Sequence, residues 1–439
     1  MTRAELPSGW APATLGEIAH YQNGRGFKKS EWSDSGRPIV RIQNLTGSGA
    51  TFNYFSGNLD ERHTVKTGDL LISWAATLGA FIWDGPEGAL NQHIFKVTPF
   101  VDKKFLYYLV QHALEDLYSH THGSGMVHIT KEKFDTLPVA IPPLREQRRI
   151  VVALEDHLSR LDAAVGGVKS GLARLRQLSK QIIISSVPEE TPSHWEVVPV
   201  REAGKVELGR QRHPDWHNGP HMRPYLRVAN VFEDRIDTSD LMEMDFPPEV
   251  FERFRLREGD ILLNEGQSPE YLGRPALYRG HPENVAFTNS LLRFRAGPRV
   301  HPEWALLVFR RHMHARRFIR EVRITTNIAH LSAGRLKSVE FPIPPLDEQR
   351  EIVARAKEEL ERADHMKLAM EECIERSNLL RQHILGLAFS GRLIPQDPAD
   401  EPASVLLERI KVEKVAKPVV GRRSRTKKKS VGTQGDLLS

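Results

Sequence analysis

Two stretches of the chain carry apolar residues at alternating steps of three and four, the pattern of a helix that packs along another helix. The first runs through Val151, Leu154, Leu158, Leu161, Val165, Val168, Leu172, Leu175 and Ile182. The second is less strict, because Lys367 and Ser377 interrupt it. Its apolar residues are Val353, Ala356, Leu360, Ala363, Met370, Ile374, Leu380, Ile384 and Leu387. We predict two long helices that pair with each other. The alternative is that each helix packs separately on its own globular domain.

The sequence before each helix has a different pattern, with short apolar runs separated by Gly, Pro and Asn. DLLISWAA, from Asp69, and DILLN, from Asp260, each follow a glycine. This punctuation is typical of short strands joined by tight turns. We therefore predict an α+β fold, in which strand-rich globular domains alternate with the long helices.

Several phrases occur twice, in the same order. The pairs are WAPATLGEIAHYQNGR (from Trp10) with WEVVPVREAGKVELGR (from Trp195), RIQNL (41–45) with RVANV (227–231), GDLLIS (68–73) with GDILLN (259–264), Asn91-Gln92 with Asn289-Ser290, HIT (128–130) with HLS (330–332), and PPLREQRRIV (142–151) with PPLDEQREIV (344–353). Chance explains one such pair but not six collinear ones. We interpret the chain as two tandem copies of one unit.

The repeat divides the chain into six segments. Residues 1–143 and 189–345 are the two globular domains, and residues 144–188 and 346–390 are their helices. A C-terminal extension follows at 391–410. Residues 411–439 form a basic tail that we expect to be disordered, because it has little apolar surface to bury.

The PPL-x-EQ phrase lies at each change from globular domain to helix. A double proline ends the preceding element, so that Arg145 or Asp347 is expected to begin the helix. Glu146 and Glu348 fall in the first turn, where the helix dipole favours a carboxylate. The following Gln147-Arg148 and Gln349-Arg350 are expected to face solvent or a partner.

Composition narrows the class of protein. The chain has 439 residues, of which 40% are hydrophobic and 27% charged, which predicts a globular protein of two to three domains. We find no apolar run of membrane-spanning length and no secretion signal, and we expect a cytoplasmic protein. The single cysteine, Cys373, excludes an intramolecular disulfide and any multi-cysteine metal site.

The net charge of +6 is concentrated at one end. From Lys414 onwards there are eight Lys or Arg residues and one acid, so the rest of the chain has a net charge of −1. A nucleic-acid surface on the folded part must therefore come from local clustering of basic residues. The tail is expected either to add salt-sensitive DNA affinity or only to solubilise the chain.

Motifs for catalysis are missing from the sequence. There is no G-x-x-x-x-G-K-[ST] phosphate loop, no H-E-x-x-H and no Cys/His cluster. There is also no Asn/Asp-Pro-Pro-aromatic motif of the kind that amino-methyltransferases use. We therefore expect no catalytic residues and no metal site in this chain.

IPPLREQRRIV, IPPLDEQREIV and the closing AFSGRLIPQDPADEPASVLLERI (388–410) resemble the specificity subunit of type I restriction–modification systems, which serve in bacterial defence. The resemblance covers essentially the whole chain to about Ile410. It implies two target-recognition domains, each reading one half of a bipartite site on double-stranded DNA. It also implies that the spacer helices pair as an antiparallel coiled coil with pseudo-twofold symmetry, and that they set the gap between the half-sites.

The same resemblance implies partners and cofactors. The helices would dock two methyltransferase subunits, and we assign this docking to Glu146, Gln147, Arg148, Glu348, Gln349 and Arg350. Restriction subunits would complete an ATP-dependent enzyme in which this chain is not catalytic. The chain itself is expected to bind no cofactor, since S-adenosylmethionine, ATP and Mg would belong to the partner subunits.

Polar side chains on the loops are the candidates for reading bases. In the first domain they are Asn23, Arg25, Lys28, Lys29, Gln43, Asn44, Gln92, His122, Ser124 and His128. In the second they are Arg210, Arg212, Arg223, Asn230, Asn264, Gln267, Arg274, Thr326 and Asn327. The cluster RRHMHARRFIREVR (310–323) is assigned either to phosphate contact or to plain surface charge.

Two other classes of function remain open from the residues. The chain could be a DNA methyltransferase or nuclease whose catalytic site has no recognised motif. It could also be a coiled-coil adaptor unconnected to DNA.

Overall fold

The computed structural model describes residues 6–49, 51–75, 77–120, 131–320 and 329–416. These residues form two compact units. Unit 1 contains the described residues up to Val165 and from Glu375, and unit 2 is Gly166–Ile374. The division falls inside both long helices, so each unit combines a globular part with a portion of each helix.

The globular part of unit 1 is built from short strands and a few helices. Its strands are β1 (Ala11–Thr14), β2 (Ala19–Asn23), β3 (Arg37–Val40), β4 (Tyr54–Phe55), β5 (Thr64–Val65), β6 (Leu70–Ser73), β7 (Gly79–Ile82), β8 (Gly88–Leu90), β9 (Ile94–Pro99) and β10 (Pro138–Ile141). Its helices are α1 (Leu15–Ile18), α2 (Ile42–Leu45), α3 (Lys103–His120) and α4 (Lys131–Asp135), with 3-10 turns at Lys29–Glu31 and Glu61–His63. The first long helix, α5 (Leu144–Ser186), follows.

Unit 2 has a closely similar series of elements. Its strands are β11 (Glu196–Pro199), β12 (Gly204–Leu208), β13 (Met222–Leu226), β14 (Val231–Phe232), β15 (Arg235–Ile236), β16 (Met242–Asp245), β17 (Asp260–Asn264), β18 (Gly266–Gln267), β19 (Pro275–Leu277), β20 (Ala286–Phe287), β21 (Leu291–Ala296), β22 (Ala329–His330) and β23 (Glu340–Ile343). Its helices are α6 (Val200–Ala203), α7 (Pro248–Phe254), α8 (Pro302–His314) and α9 (Ala333–Ser338), with 3-10 turns at Pro214–Trp216, Val228–Asn230, Pro269–Tyr271 and Arg317–Ile319. The last described helices are α10 (Leu346–Phe389) and α11 (Ala403–Ala416).

The main sheet has the same order in both units. It is β2-β9-β6-β7 in unit 1 and β12-β21-β17-β19 in unit 2, antiparallel throughout. A second sheet in each unit contains one parallel pair, β3 with β8 and β13 with β20. The strand after each repeat tryptophan pairs with the strand before the double proline, β1 with β10 and β11 with β23. The predicted α+β fold with a tandem repeat is therefore confirmed.

The GD phrase forms the same turn in both units. Gly68 and Gly259 have φ of +86° and +90°, a backbone region that glycine adopts without strain. The aspartate that follows each glycine accepts a hydrogen bond at 2.8 Å from the backbone N–H three residues before it, Asp69 from Lys66 and Asp260 from Arg257. The turn leads directly into the buried strands β6 and β17.

The apolar seam of α5 is buried as predicted. Its residues are buried at both ends of the helix (Val151, Leu154, Leu158, Leu172, Leu175 and Ile182) and half-buried in the middle (Leu161, Val165 and Val168). In unit 1, Arg381 of α10 forms an ion pair with Asp162 of α5. In unit 2, a Cβ added at Gly171 would lie 3.2 Å from Cε of Met370. As residue numbers rise on α5 they fall on α10, so the two helices pair in antiparallel orientation.

The seam predicted for α10 contains one error. Leu380 is 48% exposed and lies off the seam. The spacing of three and four from Ile374 instead reaches Ser377 and Arg381, and Arg381 is the residue that pairs with Asp162. Because Arg381 is charged, a pattern that counts only apolar residues does not place it in the seam.

The C-terminal helix corrects a second prediction, that the chain is disordered from residue 411. Helix α11 continues to Ala416: Ile410 is buried in the cluster of unit 1 and Leu406 and Leu407 pack against it, whereas Val412 and Val415 are exposed. Lys414 donates hydrogen bonds of 2.8 Å to the carbonyl oxygens of Gly16 and Glu17. The rest of the tail lies outside the described residues. Within the described part of the chain, no helix is long and apolar enough to span a membrane.

Candidate nucleic-acid interface

The Gly-Arg pair of the first repeat turns its arginine inward. A Cβ at Gly24 would overlap the carbonyl oxygen of Asn91, so only glycine allows this approach of two backbones. Arg25 then forms an ion pair with Glu31, and its guanidinium carbon lies 4.5 Å and 4.9 Å from the ring centroids of Phe27 and Phe55. These contacts give Arg25 an internal role, and its predicted role in DNA binding stays a prediction.

The second Gly-Arg pair is enclosed further. Arg210 is 9% exposed and lies over Trp216 and Phe246, at 4.0 Å and 4.8 Å from their ring centroids. It donates a hydrogen bond to the backbone carbonyl of Asp245. Burial lowers the pKa of this arginine. Burial and the bond to Asp245 give Arg210 an internal role, and its predicted contact with DNA stays a prediction.

The RIQNL and RVANV phrases each form a short helical turn capped by its asparagine. Oδ1 of Asn44 accepts a hydrogen bond from the backbone N–H of Arg41 at 3.1 Å, and its Nδ2 donates to the carbonyls of Gly49 and Thr51. Asn44 thus closes the loop that follows α2, and this internal role is independent of any contact with DNA.

In unit 2, Asn230 accepts from the N–H of Arg227 at 3.0 Å and donates to the carbonyls of Asp237 and Asp240. Asn230 is only 2% exposed, which leaves none of its amide for a nucleic acid. Its assignment to base reading is therefore corrected to a loop-closing role.

Asn264 ends the buried strand β17 and is 0% exposed. Neither atom of its side-chain amide has a hydrogen-bond partner among the described residues. Full burial means that DNA cannot reach this amide, so the prediction for Asn264 is also corrected. The next candidate, Gln267 on β18, is half-buried, and its Oε1 accepts the N–H of Ser268 at 3.1 Å.

Arg274 is half-buried. It lies beside the end of β17, where its backbone carbonyl accepts a hydrogen bond of 3.2 Å from the backbone N–H of Asn264. Its guanidinium carbon lies 4.8 Å from the ring centroid of Phe232 and 5.5 Å from that of Tyr271. Nε is buried without a hydrogen-bond partner among the described residues. The arginine is therefore held by two rings and remains a candidate for DNA contact.

Several candidates are exposed and available for contact. They are Asn23, Lys28, Lys29, Gln43 and Gln92 in unit 1, and Arg212 and Arg223 in unit 2. Their role in binding stays a prediction. Five further candidates lie outside the described residues, namely His122, Ser124, His128, Thr326 and Asn327.

The basic cluster from Arg310 is largely neutralised inside unit 2. Arg310 and His314 both contact Oε1 of Glu233 at 2.8 Å. Arg317 contacts Glu340 at 2.7 Å. Arg311 and His312 are buried, at 7% and 1% exposure. These five side chains are thus buried or paired within unit 2, whereas Arg316 and Arg320 of the same cluster are exposed, and phosphate contact by the cluster stays a prediction.

The sequence pattern missed two residues, Arg41 and Trp32. The guanidinium carbon of Arg41 lies 5.5 Å from the ring centroid of Trp32, which is 36% exposed. Nε of Arg41 is buried and has no hydrogen-bond partner among the described residues. In the sequence Arg41 is an anchor of the repeat, and the tryptophan within the polar stretch KKSEWSDSG is the signal that points to this pair.

The start of each long helix is fixed by the glutamate and the glutamine of its EQR triplet. Glu146 accepts a hydrogen bond from the indole of Trp10 at 3.0 Å, and Glu348 accepts the same bond from Trp195. In unit 1, Oε1 of Gln147 accepts the N–H of Asp102, and its Nε2 donates to the carbonyl of Pro142, both at 2.9 Å. The triplet therefore joins the helix start to the globular part.

Gln349 repeats this arrangement in unit 2, with bonds to the N–H of His301 and the carbonyls of Arg299 and Pro344. Both glutamines are 0% exposed and Glu146 is 1% exposed. The prediction that Gln147 and Gln349 face solvent or a partner is wrong, because their amides satisfy buried backbone groups.

Two members of the predicted docking set remain exposed, Arg148 and Arg350. In unit 1, a cleft of about 380 Å³ is lined by Leu144, Arg145, Arg148, Ala399 and Glu401. Val152, one turn after Arg148, is 68% exposed. This outer face at the start of α5 combines exposed charge with exposed apolar surface, as a protein-docking face requires. Across the described ranges, no group of three or more His, Cys, Asp or Glu side chains is placed to hold a metal ion.

The chain is similar to known proteins along most of its length. A family model described as "Type I restriction modification DNA specificity domain" matches residues 7–165. The EcoBI specificity subunit from Escherichia coli is 25% identical, with 93% of each chain covered. The EcoKI specificity subunit from E. coli K12 is 23% identical, with 98% of this chain and all of that one covered. Both are type I restriction enzyme subunits by name.

Solved structures share the fold. A chain from a structure of a type I restriction–modification system, titled for its complex assembly and conformational transition, matches with a TM-score of 0.68 and 19% identity, over 89% of this chain and all of that one. The HsdS subunit from Thermoanaerobacter tengcongensis matches with a TM-score of 0.51 and 20% identity, over 89% and 99%. With its duplicated units and paired helices, this chain is similar along most of its length to type I restriction–modification specificity subunits.

Proposed function

We propose that this chain is the DNA sequence-recognition subunit of a type I restriction–modification complex in the cytoplasm. Each unit reads one half of a bipartite site on double-stranded DNA. The paired helices set the gap between the half-sites and dock two methyltransferase subunits. Restriction subunits join this assembly for ATP-dependent cleavage.

One observation carries the proposal: the two units keep the same scaffold and differ in the side chains on their loops. The sheet order, the capping asparagines and the Trp–Glu bonds at the helix starts are repeated. The loop residues differ, as Lys28 and Lys29 do from their equivalents His213 and Pro214. A duplicated scaffold with different reading residues suits a site whose two halves have different sequences.

The proposal assigns the chemistry to the partners. S-adenosylmethionine, ATP and Mg are used by the methyltransferase and restriction subunits, and this chain supplies the sequence choice. The relatives that align over most of their length support this assignment, because they are named as specificity subunits. The exposed face of α5 at Arg148 and Val152 is the part of unit 1 that we assign to a methyltransferase.

The test is to co-express the chain with the methyltransferase subunit of its own system and to sequence the host DNA by a method that detects methylated bases. We expect one bipartite motif with a fixed gap, absent when either protein is omitted. Methylation or cleavage by the purified chain alone, abolished by a single substitution, would instead identify an enzyme. Unmodified DNA together with a stable protein complex would identify an adaptor unconnected to DNA.

A further inference from the structure

Arg41 of unit 1 and Arg227 of unit 2 occupy the same place in the repeat. Each precedes a short helical turn, and each has its backbone N–H capped by the asparagine three residues later. Each also has a buried Nε without a hydrogen-bond partner among the described residues. The two backbones therefore present equivalent side chains at equivalent positions.

The two guanidinium groups nevertheless have different partners. Arg227 contacts Oδ2 of Asp240 at 2.5 Å. For Arg41, no carboxylate partner is found among the described residues, and its guanidinium lies over the indole of Trp32. One arginine of the pair thus has a carboxylate partner, whereas the other has none among the described residues.

A guanidinium that stacks on a ring keeps its N–H donors free at its edge. The aromatic face attracts the cation and restricts its plane but accepts none of these hydrogen bonds. Such a group is ready to bind two adjacent acceptors, as on the major-groove edge of guanine or on a phosphate. Arg41 has this arrangement, while the carboxylate of Asp240 occupies the corresponding edge of Arg227.

Unit 2 has its own stacked arginine at a different position. Arg274 lies between Phe232 and Tyr271, and no carboxylate contacts it among the described residues. Other cations near it are paired: Arg235 contacts Asp237 at 3.4 Å, and Arg310 contacts Glu233 at 2.8 Å. Arg274 is therefore the half-buried cation of this region that keeps an unpaired charge.

We propose that Arg41 in unit 1 and Arg274 in unit 2 each bind a pair of adjacent DNA acceptors in their own half-site, and that Arg227 does not. This inference rests on the proposed function, because it presumes that each unit binds one half of a bipartite site. To the proposed function it adds which residues bind and how they bind. Each guanidinium is fixed on an aromatic ring and donates two hydrogen bonds.

The test uses the complex with its methyltransferase subunit, the methylated motif in the host, and the affinity for a duplex that carries this motif. Arg41→Ala is expected to weaken binding about tenfold or more and to affect only the half-site read by unit 1. Arg274→Ala should do the same for the other half-site. Arg227→Ala is the matched control and should change affinity less than twofold.

A lysine at position 41 separates the two kinds of acceptor. If the acceptors are on guanine, Arg41→Lys loses the base preference at one position of the motif, because lysine cannot form the fork. If they are on a phosphate, the motif is unchanged and Arg41→Lys retains most of the affinity. Arg41→Ala then makes the slope of log affinity against log salt concentration shallower by about one.

Equal affinities of Arg41→Ala and Arg227→Ala complexes, with an unaltered motif, would overturn the inference while leaving the proposed function in place. A wild-type complex that methylates no bipartite motif would overturn the proposed function itself. Thermal melting by circular dichroism checks that each variant folds; for Arg41→Ala we expect it, because Nε of Arg41 has no hydrogen-bond partner among the described residues.

Discussion

The indole Nε1 of Trp10 donates a hydrogen bond of 3.0 Å to Oε1 of Glu146, 136 residues later in the chain. The equivalent bond joins Trp195 to Glu348 in unit 2, but the two carboxyl groups differ in pKa. Burial raises the pKa of Glu146 above its ordinary value. Burial also acts on Glu348, yet the hydrogen bonds from Trp195 and His194 outweigh it and lower the pKa.

Neutral replacements of the two glutamates should therefore differ in their pH dependence. Because the folded state holds the proton of Glu146 more tightly, stability falls as pH rises from 4.5 through the raised pKa. Glu146→Gln should remove this fall. Glu348→Gln should instead remove a gain in stability that develops as pH rises from the lowered pKa towards 4.5. Urea unfolding from pH 3 to 8 measures both, and parallel pH curves for the two variants would contradict the assignment.

The buried glutamine at each helix start is expected to matter for stability. Gln147→Ala leaves the N–H of Asp102 and the carbonyl of Pro142 without their partner, at a cost of about 1–3 kcal/mol. Arg148→Ala, one residue later and exposed, should change the free energy of unfolding by less than about 0.5 kcal/mol. The same Arg148 variant should co-purify less well with the methyltransferase subunit. Urea unfolding and pull-down separate the two effects.

Two leucines test the positions of the helical seam. Leu154 is 0% exposed and Leu380 is 48% exposed. Truncation of a buried leucine to alanine costs about 2–5 kcal/mol, while exposed positions cost little. Thermal melting should therefore separate Leu154→Ala from Leu380→Ala clearly. Equal losses would mean that Leu380 packs in the seam after all.

The ion cluster around Glu233 should respond to acid. Burial disfavours the carboxylate, but His314 and Arg310 outweigh it and lower the pKa of Glu233 to about 2 from 4.5. A lowered folded pKa contributes stability above pH 4.5, and this contribution is lost as pH falls towards 2. Glu233→Gln should lower the free energy of unfolding at neutral pH. It should also make the decrease of this free energy with falling pH less steep. An unchanged acid transition in urea titrations would argue against the pairing.

Shortening the helices tests the spacing function. Residues 168–174 and 368–374 each span one heptad in unit 2, where Gly171 and Met370 approach each other. Deleting both segments removes about 10 Å of each helix while keeping the seam in phase. The methylated motif should keep both half-sites and lose about three base pairs from its gap. Altered half-sites with an unchanged gap would exclude the spacing role.

Much of the architecture could be predicted from repetition and periodicity. The seam from Val151 to Ile182 follows from spacing alone, because a helix turns apolar residues at steps of three and four to one side. The repeat of Trp10 at Trp195 required only matching phrases. Both signals are carried by many residues, so an interruption such as Lys367 did not hide them.

Side-chain partners could not be predicted in the same way. Gln147 looks like a solvent-facing residue until Pro142 and Asp102 are brought to it by the fold. Arg210 looks like an exposed loop residue until Trp216 and Phe246 enclose it. Each of these outcomes depends on one or two contacts between segments distant in sequence, which composition and spacing do not encode.

The position of the boundary inside both long helices has a consequence for gene exchange. The hydrophobic cluster of unit 1 joins Phe105 and Phe134 to Leu154, Leu158 and Leu385 on the helices. A recombination event that exchanged only residues 1–143 would bring in new core residues of the globular part. These would then pack on helix residues that come from the other parent. An exchange that keeps this cluster together must therefore also carry the helix segments that belong to unit 1, up to Val165 and from Glu375.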